Sequence, residues 1–455
     1  MKKMTWLVGF ASYVLTGNIA TLAQTGSAPV GGEGFSTTSG ARTFEMFEAR
    51  EDQTLSMEEA VRRAHAWHPS IVEARGRLYQ QSEQVNVAKA GYYPQVGAGF
   101  SIEHRSATGR SEDAFTVSAS QMLYDFGNVS SQVEAARYGV DRDQARVWLA
   151  VDQLARDTAQ AVIEVQRFLT LMEIAQAQIE GISELRELAE RRSALGASTR
   201  SDEIQAQSRL EAAAATRQQL EAELRTWQDT LGSLVGAGGA VSVERTFPAP
   251  LRQACANAAE TFDDAPELLV ATAQQAEARA RIEQAQAAFY PTASVDAGFN
   301  QFLNSDLVED DSEFTVQLNL TSNLYQGGAT SAQRRAADYG LEASRAARDS
   351  AYLSLSRNLR QAKQQTVSFG QRLQTLDARV RSIEATQELY RQQYLSLGTR
   401  SLLDLLNAEQ EIHQSRFDQE NTRFDLYRLQ IECLYSAADI RDAFNLAETA
   451  SRGMP

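Results

Sequence analysis

His65 and His68 share one helical turn, a spacing that suits a pair of metal ligands. No third ligand stands at metal spacing, and His68 directly precedes Pro69, which marks a helix junction instead. His104 falls near a loop and His413 on a helix, each alone. Gly236-Ala237-Gly238-Gly239 lacks the lysine and the flanking strand of a phosphate-binding loop. Asn128-Val129-Ser130 fits a glycosylation sequon, but it opens a helical pattern, where Asn and Ser read as capping groups. No nucleophile stands with a base, so the residues predict no enzyme, no cofactor and no metal site. The net charge of −15 excludes a nucleic-acid partner and favours a solvated acidic surface or an acidic cavity. What remains is a pair of charged turns: Asp202 just beyond Leu195-Gly196, and Arg400 with Asp404 just beyond Leu397-Gly398. Taken alone, such turns read as solvated surface, where an ion pair contributes little.

Those turns interrupt the longest helical patterns of the chain. At 455 residues the protein is too long for one ordinary compact domain, so several domains or a repeat architecture are expected. Residues 1–23 read as a signal peptide, with Lys2 and Lys3 before a short apolar core at Trp6–Leu15 and cleavage points at Ala20 or Ala23. Residues 24–53 read as a flexible leader and 447–455 as a C-terminal tail. No later run of about 18 apolar residues predicts a transmembrane helix, which leaves a periplasmic, an extracellular or a β-type outer-membrane protein. Proline in a helix interior costs about 3 kcal/mol. The long helices must therefore lie in the proline-free stretches 95–247 and 292–454.

The prolines also expose a duplication. Pro69 and Pro266 are separated by the same interval as Pro94 and Pro291. Collinear matches follow with a slowly growing offset: Leu123-Tyr124 with Leu324-Tyr325, Gly127 with Gly328, Leu195-Gly196 with Leu397-Gly398, Asp202 with Asp404. Two structural repeats, 54–247 and 248–446, are expected. Each holds a helix, two strands and a long helical hairpin. The first has strands at about 94–105 and 113–124 and a tip near Gly196; the second has strands at about 291–303 and 313–323 and a tip near Gly398. Phe314, Val316, Leu318 and Leu320 alternate with polar residues, the period of a strand with one apolar face. Past the second tip Phe417, Phe424, Ile431 and Ala438 step by sevens, which predicts coiled-coil-like packing.

Strands of about 9–11 residues can cross a bilayer when tilted. Tyr92, Tyr93, Tyr124 and Phe126 in one repeat, and Phe289, Tyr290 and Tyr325 in the other, sit at the strand ends where an interfacial aromatic girdle would lie. A four-stranded soluble sheet is the other reading of this pattern. Four membrane strands cannot close a barrel, so the membrane reading requires several chains to share one. By length, the post-strand helix at about 1.5 Å per residue spans about 100 Å, whereas its return helix covers only about 55 Å and the pre-strand helix about 33 Å. Each long helix is therefore expected to be flanked by two shorter ones stacked end to end. Gly236–Asp264 and Leu55–His68 would cross the middle. Cys255 and Cys433 can form one disulfide in an oxidising compartment, but two buried free thiols are the favoured reading.

This combination resembles the TolC family of trimeric outer-membrane efflux and secretion channels. The likeness covers about 54–446. It rests on Leu55-Ser56-Met57-Glu58-Glu59-Ala60 with His68-Pro69, on Tyr92-Tyr93-Pro94, on the Leu-Tyr-x-x-Gly after each strand pair, and on Gly398-Thr399-Arg400-Ser401-Leu402-Leu403-Asp404. The resemblance implies a mainly α fold with a small β part: a homotrimeric, 12-stranded transmembrane β-barrel continued by a long periplasmic α-helical barrel. It implies an outer-membrane exit duct with most of its mass in the periplasm. Such a duct docks onto a periplasmic adaptor protein and an inner-membrane transporter of ABC or RND type, for type I protein secretion or small-molecule efflux. The tip sequence is more similar to the type I secretion branch than to the lipoprotein branch. By the same resemblance Asp404 lies at the periplasmic gate, with Asn407 where the best-known relatives carry a second acid. Arg400 pairs with Asp202 in a latch, Leu395 stands where those relatives have a latch tyrosine, and Gly196 and Gly398 form tips that meet the adaptor. The alternative is a secreted coiled-coil structural or adhesive protein with no channel.

Overall fold

The computed structural model describes residues 54–105, 110–195, 199–303 and 312–446. The signal, leader and tail readings, and Gly196 at the first tip, lie outside these residues. The chain begins with α1 (Met57–Trp67) and α2 (Pro69–Lys89), continues through β1 (Gln95–Arg105) and β2 (Arg110–Tyr124), and enters α3 (Asn128–Ala194) and α4 (Arg200–Val235). A connecting segment carries the short α5 (Ala254–Asn257). Then come α6 (Pro266–Ala287), β3 (Thr292–Phe302), β4 (Ser312–Thr321), α7 (Ala329–Gln392), α8 (Leu402–Ser436) and the short α9 (Ile440–Ala443). The order helix, two strands, long helix and return helix thus occurs twice.

Local chemistry sets the boundaries. His68 is the junction residue: its backbone ends α1, and its Nδ1 accepts the Ser70 N–H to cap α2 ahead of Pro69. The start of α3 differs from the sequence reading. Asn128 is its first residue, and the cap comes from Asp125, whose carboxylate accepts from Gly127 N (3.1 Å) and Val129 N (2.6 Å). The Asp125 side chain thus takes the capping role expected of Asn128 and Ser130, and the Ser130 hydroxyl donates to Gly127 O at 3.0 Å instead. The sevenfold step also stops early. α8 ends at Ser436, and Ala438 takes a positive φ of 63°, so Ala438 turns the chain instead of extending the stripe.

The sheet is antiparallel in the order β1-β2-β3-β4. Its largest supporting core lies far along the helices from it. There α1, the centre of α3, the C-terminal ends of α4 and α8, and the connecting segment meet around Val162, Ile163, Leu231, Ile431 and Phe444. Leu55 pairs with Val243 in a parallel bridge, donating to Ser242 O at 2.8 Å and accepting from Glu244 N at 2.9 Å. The bridge ties these two segments to each other, and Gln166 of α3 donates from Nε2 to Glu244 O at 2.6 Å.

Cys255 and Cys433 form a disulfide, which corrects the free-thiol reading. Both are buried, as that reading required, but α5 docks on α8 through the Cys255 N–H to Gln430 Oε1 bond of 2.9 Å. This brings the two Cα atoms to 5.0 Å, within bridging range. Their separation of 178 residues hides the approach from the sequence.

Asp152, buried on α3, faces Arg441 of α9, whose Nε lies 3.1 Å from Oδ1 and whose guanidinium covers Trp148. Burial pushes this carboxyl from 3.8 up to about 7, against the pull of Arg441. The folded protein therefore holds a proton there that the unfolded chain has released, so this residue's contribution to stability falls as pH rises from about 4 to about 7. Thermal melts across that range should show a steeper decline for the native protein than for Asp152→Asn. Parallel pH profiles would refute this assignment.

Candidate functional site

Two places on the chain carry features beyond packing: the sheet, and the second hairpin tip. In the sheet the strand period of two separates the side chains cleanly. Register places Val96, Ala119, Ala297 and Val316 in one row, and Ala98, Val117, Phe299 and Phe314 in the next. This face is apolar and open: Val96 is 72% and Leu318 74% exposed. The opposite face is polar and bonded to itself. Thr116 donates to Asn300 Oδ1 at 2.8 Å, and the Asp296 carboxylate accepts from Ser120, Asn319 and, at 3.1 Å, Ser294. β1 and β4 are the two edges of the sheet.

Water does not favour a face of this kind, because exposed apolar area costs about 25 cal/mol per Å². A hydrocarbon surround does favour it. Tyr92, Tyr93, Tyr124, Phe126, Phe289, Tyr290 and Tyr325 are all exposed at one end of the sheet. Phe126 joins the two halves, stacking on Tyr290 at 4.9 Å between ring centroids and meeting Tyr124 edge-on at 4.8 Å. A positive φ of 55° at Phe126 and of 95° at Gly127 turns the chain from β2 into α3 at this point.

At the second tip, Gly398 takes the left-handed φ of 63° that a tight reversal requires. Ser401 and Asp404 then form a capping box. Ser401 Oγ accepts the Asp404 N–H (3.2 Å), while the Asp404 carboxylate accepts from Ser401 N (3.0 Å) and Oγ (2.9 Å). Those bonds, first from the Ser401 backbone and then from its hydroxyl, hold the Asp404 carboxyl below its ordinary value, with Arg400 adding to the effect. Asp404 therefore stays charged at neutral pH. Thr199 and Asp202 make the matching box at the start of α4.

The other tip residues fall as follows. Arg400 lies over the Tyr390 ring at 4.2 Å and donates from Nε to Gln393 Oε1 at 3.0 Å. Asn407 accepts from Arg209 Nη2 of α4 at 3.3 Å, and Arg209 also donates to Gln410. Leu395 is exposed. The structure thus brings Asp404, Arg400 and Asn407 to one end of the α7–α8 hairpin. It adds Arg209 and Arg192, which carry no sequence signal, and gives Tyr394, whose helical spacing already put it on the packing face, a partner in Arg192. Nothing local marks Arg209 or Arg192, whose partners lie on another hairpin.

The comparisons agree with this architecture. The model of the outer membrane efflux protein family matches residues 60–237 and 259–432. Outer membrane protein TolC of Vibrio cholerae serotype O1 is 23% identical over 373 residues, covering 78% of this chain and 84% of that protein. Protein CyaE of Bordetella pertussis is 29% identical over 298 residues, 60% of this chain and 61% of its own length. Among solved structures, the outer membrane protein VceC from Vibrio cholerae superposes with a TM-score of 0.72 at 17% identity, covering 84% of this chain and 95% of that one.

Proposed function

Because the chain belongs to the outer membrane efflux protein family, we propose that it is the passive exit duct of a tripartite export system, serving type I protein secretion, small-molecule efflux or both. The duct is opened by a periplasmic adaptor and an inner-membrane transporter. The carrying observation is the four-stranded sheet with one exposed apolar face, one self-bonded polar face and two edges. Four such strands satisfy their edges in lipid only by pairing with copies of themselves. Three copies would give the 12-stranded barrel that the resemblance implies, with the apolar face toward lipid and the polar face toward a lumen.

The helices support the same assembly. α7 buries only Leu355, Leu359, Ala362, Leu376 and Val380 along its 64 residues, and leaves Tyr339, Tyr352, Leu353 and Val367 exposed. A helix so thinly covered within its own chain suits neighbours supplied by other copies, in a periplasmic tube. The twofold element order supports two structural repeats, 54–247 and 248–446. The aromatic cluster would then mark one membrane boundary, with outer-membrane lipid as a partner.

In this reading the tips form the inner end of the tube. Asp404, repeated around the trimer, would make a charged ring that admits cations and repels anions. Arg400, Asp202 and Leu395 would contribute to the latch, and Gly196 and Gly398 would shape the tips that meet the adaptor. Purified full-length protein in planar bilayers tests the ring. Multivalent cations should block wild-type current, and Asp404→Ala should weaken that block by about tenfold or more, the cost of roughly 1.4 kcal/mol at a charged site. Equal block in both proteins would remove Asp404 from the constriction. A soluble monomer, with none in the outer membrane, would overturn the duct altogether and favour a secreted coiled-coil protein.

A further inference from the structure

The chain leaves α7 through a turn that is not α-helical. Gln393–Leu397 is a π-helical turn, closed by Gly398. Tyr390 and Tyr394, one helical turn apart, face the same apolar cluster. Tyr394 is only 5% exposed, while Leu395 is 52% exposed. Tyr394 packs with Ile182, Leu185 and Ala189 of α3 and with Leu402, Leu405 and Leu406 of α8. Arg192, in the last turn of α3, engages the same residue twice. Its guanidinium lies 4.4 Å from the Tyr394 ring centroid, and its Nη1 donates to the Tyr394 backbone carbonyl at 3.0 Å.

The joint has a physical logic. A helix C-terminus leaves carbonyls without partners and carries partial negative charge, which a cation bonds well. A guanidinium alone among side chains can stack on a ring and donate in its own plane at once. The two contacts bind the C-terminal end of α7 to the C-terminal end of α3, immediately before both tips. Outward movement of the α7–α8 tip must break the stack and the hydrogen bond together, and it must expose Tyr394.

We propose that Arg192 and Tyr394 are a pin that holds the second hairpin tip against the end of α3 in the closed gate, Arg192 acting as a positioning residue. Arg192 and Tyr394 are thus set apart from Arg400, Asp202 and Leu395, and the aromatic group one residue before Leu395 supplies the closing contact. This inference rests on reading the tip as the gate, so the test includes that reading's own control.

Single-channel conductance of the full-length protein is measured for wild type, Arg192→Ala, Arg192→Lys, Tyr394→Leu and the Arg192→Ala/Tyr394→Leu double variant. Arg192→Ala and Tyr394→Leu should each raise conductance or open probability by about fivefold or more, the lower end of a typical coupling between two states. The double variant should add little, because both singles remove one joint. Arg192→Lys should restore closure only in part, since an ammonium cannot make both contacts. A residue serving stability alone would lower the melting temperature of these variants and leave the current through folded channels unchanged, and that result overturns the pin. Tyr394→Leu keeps the apolar packing, so it reports even where Arg192→Ala yields no folded protein. If Asp404→Ala also leaves multivalent block unchanged, the tip is not the constriction and the underlying reading fails. If the block weakens while the Arg192 and Tyr394 variants conduct as wild type, the pin alone is wrong.

Discussion

Replacing Cys255 and Cys433 together by alanine should lower the stability of the oxidised protein by about 5 kcal/mol, the chain-entropy value for a loop of this length. The bridge closes 178 residues, so it removes more freedom from the unfolded chain than a short loop would. It also holds α5, and with it the connecting segment between the two halves, onto α8 beside Thr366 of α7, whose hydroxyl donates to Cys255 Sγ at 3.2 Å. Alanine is the better replacement, because both positions are buried in an apolar cluster with Phe262, Leu268, Leu355 and Leu359, where a serine hydroxyl would need a new partner. Chemical unfolding in detergent, comparing the oxidised protein, the reduced protein and the double variant, measures the effect. The reduced protein and the variant should fall together. An unfolding midpoint shared by all three would show that the bridge contributes nothing.

Gly236→Ala should cost about 3 kcal/mol, combining the left-handed backbone penalty with overpacking. Gly236 ends α4 with φ of 74°, and a Cβ there would enter the ring of Trp67 at the end of α1. Trp67 cannot yield as a flexible chain end would, because a rigid indole moves as one body. The substitution would therefore push α1 away from the end of α4, at the point where the crossing segments join the shaft. Gly239→Ala is the matched control. A Cβ at Gly239 meets nothing within 4 Å, so this variant should melt with the wild type. Equal midpoints for the Gly236 and Gly239 variants would contradict the close approach.

Much of this molecule was legible in one dimension because its elements are governed by local rules. Strand alternation from Val96 to Ile102 and from Phe314 to Leu320 follows from the pleat, so the apolar face could be assigned residue by residue. Prolines at 69, 94, 266 and 291 and glycines at 127, 328 and 398 mark boundaries through fixed or left-handed φ, which needs no knowledge of neighbours. The family, too, could be recognised from short motifs at these same boundaries. Asp404 illustrates the limit. Its position after the tip was readable, but its capping bonds to Ser401 and its lowered pKa come from the geometry of one turn.

The sequence by itself determined the order of helices and strands, which strand face is apolar, and the glycine that closes the second tip. Those features depend on the φ preferences and the periodicity of neighbouring residues. Three others required the folded chain: the Cys255–Cys433 bridge, the Arg192–Tyr394 joint and the Asp152–Arg441 pair. Each unites residues far apart in sequence whose types carry no local preference for one another. Their meeting is decided by how whole helices pack: periodicity puts Tyr394 on the packed face of its helix, and only the fold brings Arg192 of α3 to it.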